Sequence, residues 1–252
     1  MYPRSFFDTY WGPHIRNEVF VAMPFHDEFQ TIWEQAIKPA IEKDLHQGGI
    51  KLLANRVDTT VLSGNVVQSI LDGIAHARLI FVDVSVAKRG AWVNQRNGNV
   101  MYELGLAHAI RPETDLIVVR NDNERINFDI ANILIHSYSA DDLKSAEKLF
   151  AYQISEALCH RHRMMALQIE KVSERLDANC KAVMFEFGIN KQFEPFGVNR
   201  DAPLWKHLAI NKLLDLGIIV CEVTAPCCYH YRWTEFGVEV YKRPKMAEVI
   251  QE

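Results

Sequence analysis

The sequence lacks the long hydrophobic run that a membrane-spanning helix needs. No stretch of about 18 or more apolar residues occurs, so we expect no transmembrane helix. Residues 1–16 are aromatic and polar, without the basic start and apolar centre of a secretion signal. Both absences predict a protein of the cytoplasm that has no membrane among its partners.

A strong charge and a disulfide framework are also missing. The net charge of −4 gives no general attraction to nucleic acid or to an anionic membrane surface. The cysteines number five, which is odd, and they form no two Cys-x-x-Cys pairs, so reduced thiols are favoured. A zinc site is an alternative, but adjacent cysteines suit tetrahedral geometry poorly, and we predict no metal. The ligands of that alternative site would be Cys221, Cys227, Cys228 and His230.

The chain is long enough to form more than one domain. It has 252 residues, of which 48% are hydrophobic and 24% are charged, as in ordinary globular proteins with a buried core. Changes of pattern along the chain predict a division into separate parts. These are an N-terminal arm at 1–16, an α/β domain at 17–140, a connecting helix at 141–177 and a smaller domain at 178–252.

Strand-like and helix-like segments alternate in the first half of the chain. The strand-like apolar runs occupy residues 18–23, 50–57, 79–84 and 116–119. Between them apolar residues recur at helical spacing, and one helix is predicted from Asp27 to about Lys43, with Pro39 kinking or ending it. A last short strand is expected to end near Tyr138. This alternation predicts an α/β fold with a parallel sheet, helices on both faces and right-handed crossovers.

Polar and aromatic residues follow the predicted strands. The carboxyl ends of parallel strands lie along one edge of a sheet, so residues that are distant in sequence converge there. Such a convergence predicts a ligand crevice at that edge. The crevice would collect the segments 23–25, 56–58, 83–85 and 97–103.

The last of these segments opens a helix. Asn99 is predicted to be its N-cap, because an asparagine side chain can accept a hydrogen bond from the first turn. Glu103 falls within the first two turns, where the helix dipole favours a carboxylate. Gly105 and Ala107 beside it are small, which suits close packing or leaves room for a ligand.

The segments 20–25, 37–42, 81–85 and 97–109 resemble successive signatures of one superfamily. Together they are similar to the nucleoside 2-deoxyribosyltransferase-like and TIR-like nucleotide-binding proteins, over about residues 18–140. The resemblance implies a flavodoxin-like sandwich. It also implies cleavage or exchange of the N-glycosidic bond of a nucleoside, a nucleotide or NAD.

The resemblance also assigns catalytic roles. The family's catalytic glutamate falls on Glu103, its polar residue six positions earlier falls on Asn97, and the aspartate that ends its third strand matches Asp83. The Asn-Pro-Asn turn that is usual in the family is Asn-Gly-Asn here, which keeps both amides. The loop at 86–96 is longer and more basic than usual.

The chemistry of these residue types agrees with the resemblance. Breaking a glycosidic bond develops positive charge on the sugar, which a carboxylate such as Glu103 stabilises or attacks. Asp83 is predicted to orient sugar hydroxyls, and Arg56 or Arg89 to hold a phosphate. Tyr102 is expected to contribute packing rather than catalysis. We predict no cofactor, with NAD as a candidate substrate. The other candidates for substrate binding are Met23, Pro24, Phe25, Asp58, Ser85, Asn99 and Tyr102.

The last part of the chain predicts a winged helix-turn-helix. A helix at 205–216 precedes Gly217, two strand-like runs separated by Pro226, and Thr234 as the cap of a final helix. The layout resembles winged-helix segments that accompany such domains in bacterial defence systems. Residues 151–252 hold 13 Lys and Arg against 13 Asp and Glu, without the basic footprint of a DNA-binding module. Its candidate partners are therefore nucleic acid, another protein or the N-terminal half.

Three functions from different classes fit this sequence. The first is an intracellular N-glycosidase or deoxyribosyltransferase, a toxic effector in bacterial antiphage defence that is regulated through its C-terminal domain. The second is a catalytically silent nucleotide sensor with a DNA- or protein-binding winged helix. The third is a protein-interaction subunit whose enzymatic domain is silent until a partner assembles it. Related domains complete their sites across subunit interfaces, so the resemblance implies a homo-oligomer or a larger defence complex.

Overall fold

A computed structural model describes most of the chain. The described residues are 15–43, 46, 49–57, 66–88, 95–125, 132–188, 192–196, 202–225 and 228–243. The predicted arm at 1–16 falls almost entirely outside this part of the chain, and so do Asp58 and Arg89. The chain divides into two compact units, Met1–Arg161 and His162–Glu252.

The first unit is built on a parallel sheet. Its strands are β1 (Arg16–Ala22), β2 (Leu53–Asn55), β3 (Ala77–Asp83), β4 (Leu116–Arg120) and β5 (Ile135–Ser137). All neighbouring pairs are parallel, and the order across the sheet is β2-β1-β3-β4-β5. This order is that of flavodoxin-like folds, in which ligands bind where the strand order reverses. The predicted fold class is confirmed.

Helices cover both faces of this sheet. They are α1 (Asp27–Ile32), α2 (Lys38–Ile41), α3 (Val66–His76), α4 (Gly98–Ile110) and the first part of α5 (Leu143–Arg175). Successive residues of β3 enter opposite layers, because side chains alternate along a strand. Phe81 packs in the core layer that contains Phe29 and Phe150, and Ile80 packs in the layer that contains Leu104. Every residue of β3 is buried, which explains the continuous apolar run at residues 79–82. Arg78 and Asp83, near the two ends of the strand, are its charged residues.

Two predicted elements of this unit differ in detail from the observed ones. The helix expected from Asp27 contains a π-helical segment, Trp33–Ile37, between α1 and α2. This wider turn lies just before Pro39, which has no N–H to continue the usual hydrogen-bond ladder. The second strand is also shorter than the predicted 50–57, since only Leu53–Asn55 pairs with β1.

Helix α5 contributes to the cores of both units. Ala146, Phe150 and Ile154 pack in the first unit, whereas Ile169 packs in the second. The boundary after Arg161 therefore lies within a continuous helix, which covers most of the predicted connecting segment at 141–177. Among the residues that the structure describes, neither this helix nor any other combines the length and the apolar character that crossing a bilayer requires.

A buried ion-pair network holds the first unit together away from the sheet's carboxyl edge. Arg111, which caps α4, donates to Asp115 Oδ2 from Nη2 at 2.7 Å and to the Ala77 carbonyl from Nη1 at 2.7 Å. Arg161 of α5 donates to the same Asp115 oxygen at 2.8 Å. The side chains of Arg111 and Asp115 are 7% and 3% exposed. Each buried charge therefore needs the opposite charge of its partner to offset the cost of leaving water.

The second unit has the predicted winged-helix layout. The latter part of α5 is followed by α6 (Ala178–Phe187), α7 (Leu204–Asp215), β6 (Ile219–Ala225), β7 (Cys228–Trp233) and α8 (Glu235–Tyr241). Strands β6 and β7 are antiparallel. Gly217 has a positive φ of 67°, as expected of a glycine that ends a helix. Thr234 caps α8 by accepting a hydrogen bond from the Gly237 backbone N–H at 2.8 Å.

Replacing Gly237 with alanine is expected to destabilise the second unit. A Cβ at this position would lie 1.9 Å from the carbonyl oxygen of Ile218, so α8 must shift away from the hairpin. We expect Gly237→Ala to lower the free energy of unfolding by about 1–3 kcal/mol, measured by urea denaturation. Gly105→Ala is the matched control: it has no heavy atom within 4 Å of the added Cβ, and alanine is favoured within a helix. Equal stability of the two variants would contradict the close approach.

Candidate functional site

A cavity of about 450 Å³ lies at the carboxyl edge of the parallel sheet. Its walls come from the segments after β1 and β3 and from the start of α4. The lining residues among those described are Pro24, His26, Ser85, Ala87, Gln95, Arg96, Asn97, Gly98 and Asn99. The position agrees with the predicted crevice, and it brings together the sequence candidates Pro24, Ser85, Asn97 and Asn99.

Asn97 shapes the wall at the start of α4. Its side-chain oxygen accepts hydrogen bonds from the backbone N–H of Asn99 at 2.9 Å and of Val100 at 3.3 Å. Asn97 is therefore the N-cap, and the prediction of Asn99 in this role is wrong. The helix begins two residues earlier than expected because Asn97 has extended backbone geometry while Gly98 is already helical. Asn99 is exposed at the cavity instead.

Glu103 follows Asn99 on α4 by four residues. This spacing places the two side chains on one face of the helix, with their Cβ atoms about 6 Å apart. Its side chain is half-buried, and it has no hydrogen bond or ion pair within the described part of the chain. Burial raises the pKa of the Glu103 carboxyl to about 7. Glu103 thus sits one turn from the cavity wall as an acid that exchanges its proton near neutral pH.

Asp83 has a different environment from the one predicted. The residue is fully buried, and its carboxylate accepts hydrogen bonds from the backbone N–H and the hydroxyl of Ser85 and from the Tyr138 hydroxyl, the last at 2.6 Å. Burial raises the pKa of Asp83, and these hydrogen bonds act in the opposite direction. The prediction that Asp83 orients sugar hydroxyls stays a prediction, and in this structure the carboxylate is enclosed by protein donors at both oxygens. These bonds position Ser85 at the cavity wall.

Removing the Tyr138 hydroxyl tests this positioning role. Tyr138→Phe deletes one donor to a buried carboxylate, and we expect the free energy of unfolding to fall by about 1–3 kcal/mol. Ser85 still donates twice to Asp83, so ligand affinity in the cavity should change less than threefold. Thermal denaturation and ligand titration measure the two effects. A large loss of affinity at unchanged stability would place Asp83 in contact with the ligand after all.

Arg96 is a cavity residue that the sequence interpretation missed. It donates from Nη2 to Asp122 Oδ1 at 3.1 Å, and from Nη1 to the Val84 carbonyl. Both charged side chains of this pair are 5% exposed. Asp122 also accepts from the Val86 backbone N–H at 3.0 Å, so the pair holds the chain after β3 in place. The signal in the sequence was two opposite charges, one just before α4 and one just after β4.

The other sequence candidates lie around the cavity without lining its described wall. Met23 is buried in the core, and its sulfur is 3.9 Å from Arg56 Nη1. The Arg56 guanidinium lies 5.0 Å from the ring centre of Phe25 and 4.7 Å from that of Trp33. Arg56 is therefore held between aromatic rings at the edge of the sheet. Tyr102 is 57% exposed on α4, so the expectation that it packs is wrong.

A second cavity of about 250 Å³ lies beside the first. Its described lining residues are Glu28, Phe29, Ile32, Val86, Lys88, Asn121 and Ala140. Residues 85–88 separate the two cavities: Ser85 and Ala87 line the first, whereas Val86 and Lys88 line the second. This alternation is that of extended chain, in which successive side chains point to opposite sides.

Comparison with known proteins adds little to this geometry. No protein-family model matches the sequence, and no curated protein matches it. Among solved structures, the metal-soaked flavodiiron core of Flv1 from Synechocystis sp. PCC6803 is similar, with a TM-score of 0.39 and 12% identity. The match covers 58% of this chain and 36% of that chain. A similarity at this level does not extend to chemistry.

The described residues do not bring metal ligands together. No group of three or more His, Cys, Asp or Glu side chains that could hold a metal ion occurs among them. Cys221 is exposed with a free thiol, and Cys227 of the alternative zinc site lies outside the described residues. What the first cavity offers is amide and backbone groups at a helix start, with one carboxyl of raised pKa a turn away.

Proposed function

We propose that the first unit is an N-glycosidase or deoxyribosyltransferase that cleaves the N-glycosidic bond of a nucleoside, a nucleotide or NAD, with Glu103 as the reacting carboxylate. The observation that supports this proposal is the position of Glu103: half-buried, without a partner among the described residues, and one turn from a cavity at the strand carboxyl ends. The superfamily resemblance of residues 97–109 independently points to the same glutamate.

The proposed reaction depends chiefly on the carboxylate of Glu103. As the bond between C1′ and the base nitrogen breaks, its electron pair leaves with the base and positive charge develops on the sugar. Glu103 in its ionised form stabilises that charge or attacks C1′, and water or a second base then accepts the sugar. Asn97 fixes the start of α4 and hence the position of Glu103, while the exposed Asn99 offers a polar contact at the wall.

The cellular setting of the proposal rests on the resemblance of residues 18–140 to the superfamily and on that of the C-terminal half to winged-helix segments of bacterial defence systems. We place the enzyme in the cytoplasm as a toxic effector of bacterial antiphage defence, assembled as a homo-oligomer or within a larger complex. Its winged-helix unit would regulate the catalytic unit. Leu204 and Leu208 on α7 are 74% and 60% exposed, which favours a protein over DNA as the partner of that unit.

Product analysis by mass spectrometry tests the proposed function. Wild-type protein and Glu103→Gln are each incubated with NAD and with a panel of ribo- and deoxyribonucleosides and their phosphates. We expect a free base from wild type only, and its identity names the substrate. A second acceptor base in the mixture separates transfer from hydrolysis, because transfer yields a new nucleoside. Equal turnover by both proteins would exclude Glu103.

A nucleotide sensor without turnover is the second candidate function. It is favoured by the burial of Asp83. Of the two carboxylates predicted to be catalytic, Glu103 is then the one that remains as a candidate acid near the cavity. In this case wild type would bind a nucleotide tightly and leave every substrate of the panel intact. Addition of a partner protein then distinguishes a sensor from an enzyme that needs assembly, since only the latter gains turnover.

A further inference from the structure

We propose that His26 is the general base of the first cavity, which takes the proton of the attacking water while the Glu28 carboxylate holds the imidazole in position. The inference rests on the proposed function and concerns its second half. Glu103 acts on the glycosidic bond, and His26 prepares the nucleophile that accepts the sugar. No motif of the sequence marks His26, whose role follows from its place in the fold.

His26 lies at the carboxyl edge of the sheet, between β1 and α1. It is the N-cap residue of α1 with extended backbone geometry, yet its side chain makes no cap hydrogen bond. The His26 carbonyl accepts the Phe29 backbone N–H at 2.8 Å, which fixes the chain at this point. The imidazole therefore has no role in capping the helix. It lines the same cavity as Asn97 and Asn99 at the start of α4.

The imidazole ring of His26 has one buried nitrogen and one exposed edge. Nδ1 is buried and makes no hydrogen bond within the described part of the chain, but it lies 3.6 Å from Glu28 Oε1, which is an ion-pair distance. The side chain as a whole is 38% exposed, so its exposure belongs to the rest of the ring, whose far edge carries Nε2. Because His26 lines the cavity, this edge is the part that a water or a ligand there can reach.

Glu28 determines which nitrogen of His26 carries the proton. A neutral imidazole has one N–H and one bare nitrogen, and a carboxylate beside Nδ1 favours the N–H at that position. Glu28 is itself held in place, since its two oxygens accept the Lys88 backbone N–H at 3.0 and 3.3 Å. Nε2 is then the bare nitrogen, which accepts a proton from a molecule in the cavity. The imidazolium that results is stabilised by the adjacent negative charge.

The other polar side chains of the described cavity lining do not accept protons near neutral pH. Arg96 is a permanent cation, and Asp122 neutralises it in a buried pair. The hydroxyl of Ser85 donates its proton to Asp83. The remaining polar lining side chains are amides, which keep their protons. Within the described lining, His26 is therefore the residue that is chemically able to serve as a base.

The step assigned to His26 balances atoms and electrons. When the bond between C1′ and the base nitrogen has broken, its electron pair is on the departing base. The water oxygen then bonds to C1′, and one water proton moves to His26 Nε2. Where Glu103 has bonded to C1′, that bond breaks and its electron pair returns to the carboxylate. His26 finally passes the proton to the base anion or, where nicotinamide has left as a neutral molecule, to solvent.

Rescue by azide tests the role of His26, because the azide anion attacks C1′ without a proton to lose. The full chain is incubated with NAD and with the panel of nucleosides and nucleotides, with and without sodium azide. We expect His26→Ala to lower kcat for hydrolysis by about 10²–10⁴-fold, and azide to restore base release with a glycosyl azide as product. His108→Ala is the matched control, since His108 is 42% exposed on α4 and lies outside the described lining. It should follow wild type under both conditions.

Nitrogen NMR of the labelled protein tests the positioning role of Glu28 without any turnover. We expect the Nδ1–H tautomer of His26 in wild type and a substantial share of the Nε2–H tautomer in Glu28→Gln. Asp27→Asn is the control, because it removes an exposed carboxylate next to His26 and should keep the wild-type tautomer. Glu28→Gln should also lower kcat by about tenfold with KM little changed, a part of the general-base contribution. These measurements keep the test valid if His26→Ala does not fold.

The inference is overturned if His26→Ala hydrolyses substrate at a rate within about threefold of wild type, or if azide does not relieve its loss of activity. An Nε2–H tautomer of His26 in wild type would also overturn it. In these cases wild type still releases base, so the proposed function stands. Wild type that releases no base from any substrate overturns the proposed function and, with it, the role of His26.

Discussion

Glu103→Gln is expected to lower kcat/KM for base release by about 10²–10⁴-fold without loss of folding. The amide keeps the size of the side chain but carries no negative charge to meet the sugar cation. For wild type we expect kcat/KM to rise with pH and level off above about 7, because burial raises the pKa of the Glu103 carboxyl to about 7 and the ionised form reacts. Rates measured from pH 5 to pH 9 check both statements.

The same substitution should stabilise the protein above neutral pH. The pKa of Glu103 is about 7 in the folded state against an ordinary value of 4.5, so the folded protein binds the proton more tightly than the unfolded chain. Wild type therefore loses stability as the pH rises from 4.5 to 7, and glutamine avoids this loss. We expect Glu103→Gln to be more stable by up to about 3 kcal/mol at pH 8 and nearly neutral at pH 4.5.

Glu113→Gln is the matched control for both effects. Glu113 is 85% exposed and lies three residues beyond the end of α4, and its partner within the described part of the chain is His108, at 3.7 Å. Its activity and its stability should follow wild type at every pH. A Glu103→Gln protein that keeps full turnover, or whose stability relative to wild type does not change with pH, would contradict the role and the burial that we assign to Glu103.

Asp115→Ala should have the largest effect on stability in the first unit. The substitution leaves the nearly buried Arg111 guanidinium without its carboxylate and removes the partner of Arg161. Breaking a buried pair in this way costs about 3–5 kcal/mol, because an uncompensated charge remains inside the protein. Urea denaturation measures the loss. The carbonyls of Ala77 and Ile74 still accept from Arg111, so the loss should stay within this range.

The double variant Asp115→Leu with Arg111→Met separates charge from packing. Replacing both members of a buried pair with apolar residues of similar size is often neutral or stabilising, so we expect it to recover much of the loss. Recovery of stability should be incomplete, because the carbonyls that accept hydrogen bonds from Arg111 lose their donor in this variant. A single Asp115→Ala variant with wild-type stability would show that the network does not hold this part of the fold.

Repeating local patterns made the fold predictable. Each residue of β3 is buried, so its apolar run stands out from the polar sequence around it. In the second unit the elements from α7 to α8 were predicted to within about one residue, because Gly217 and Thr234 mark a helix end and a helix start by local backbone chemistry. Helix α6 was not predicted. The short β2 was overestimated, since strand length depends on pairing with β1 rather than on its own composition.

The position of the candidate site could be predicted from the sequence, but the roles of its residues could be predicted less well. Strand ends converge in any parallel sheet, so Pro24, Ser85 and Asn97 could be expected together. The role of Asp83 could not, because it is decided by Tyr138, which lies 55 residues away and reaches the same point through another strand. The buried pair of Arg96 and Asp122 is equally non-local, and spacing in the sequence does not show which charges meet.

The strip of chain at 85–88 also constrains how such a protein can evolve. Because its side chains alternate between the two cavities, a substitution at Ala87 remodels one compartment and a substitution at Val86 remodels the other. The two cavities can thus change independently of each other through single substitutions. Insertion or deletion of a single residue would turn each following side chain of the strip toward the other cavity and so alter the linings of both cavities at once. Relatives should therefore vary here in residue type while conserving length.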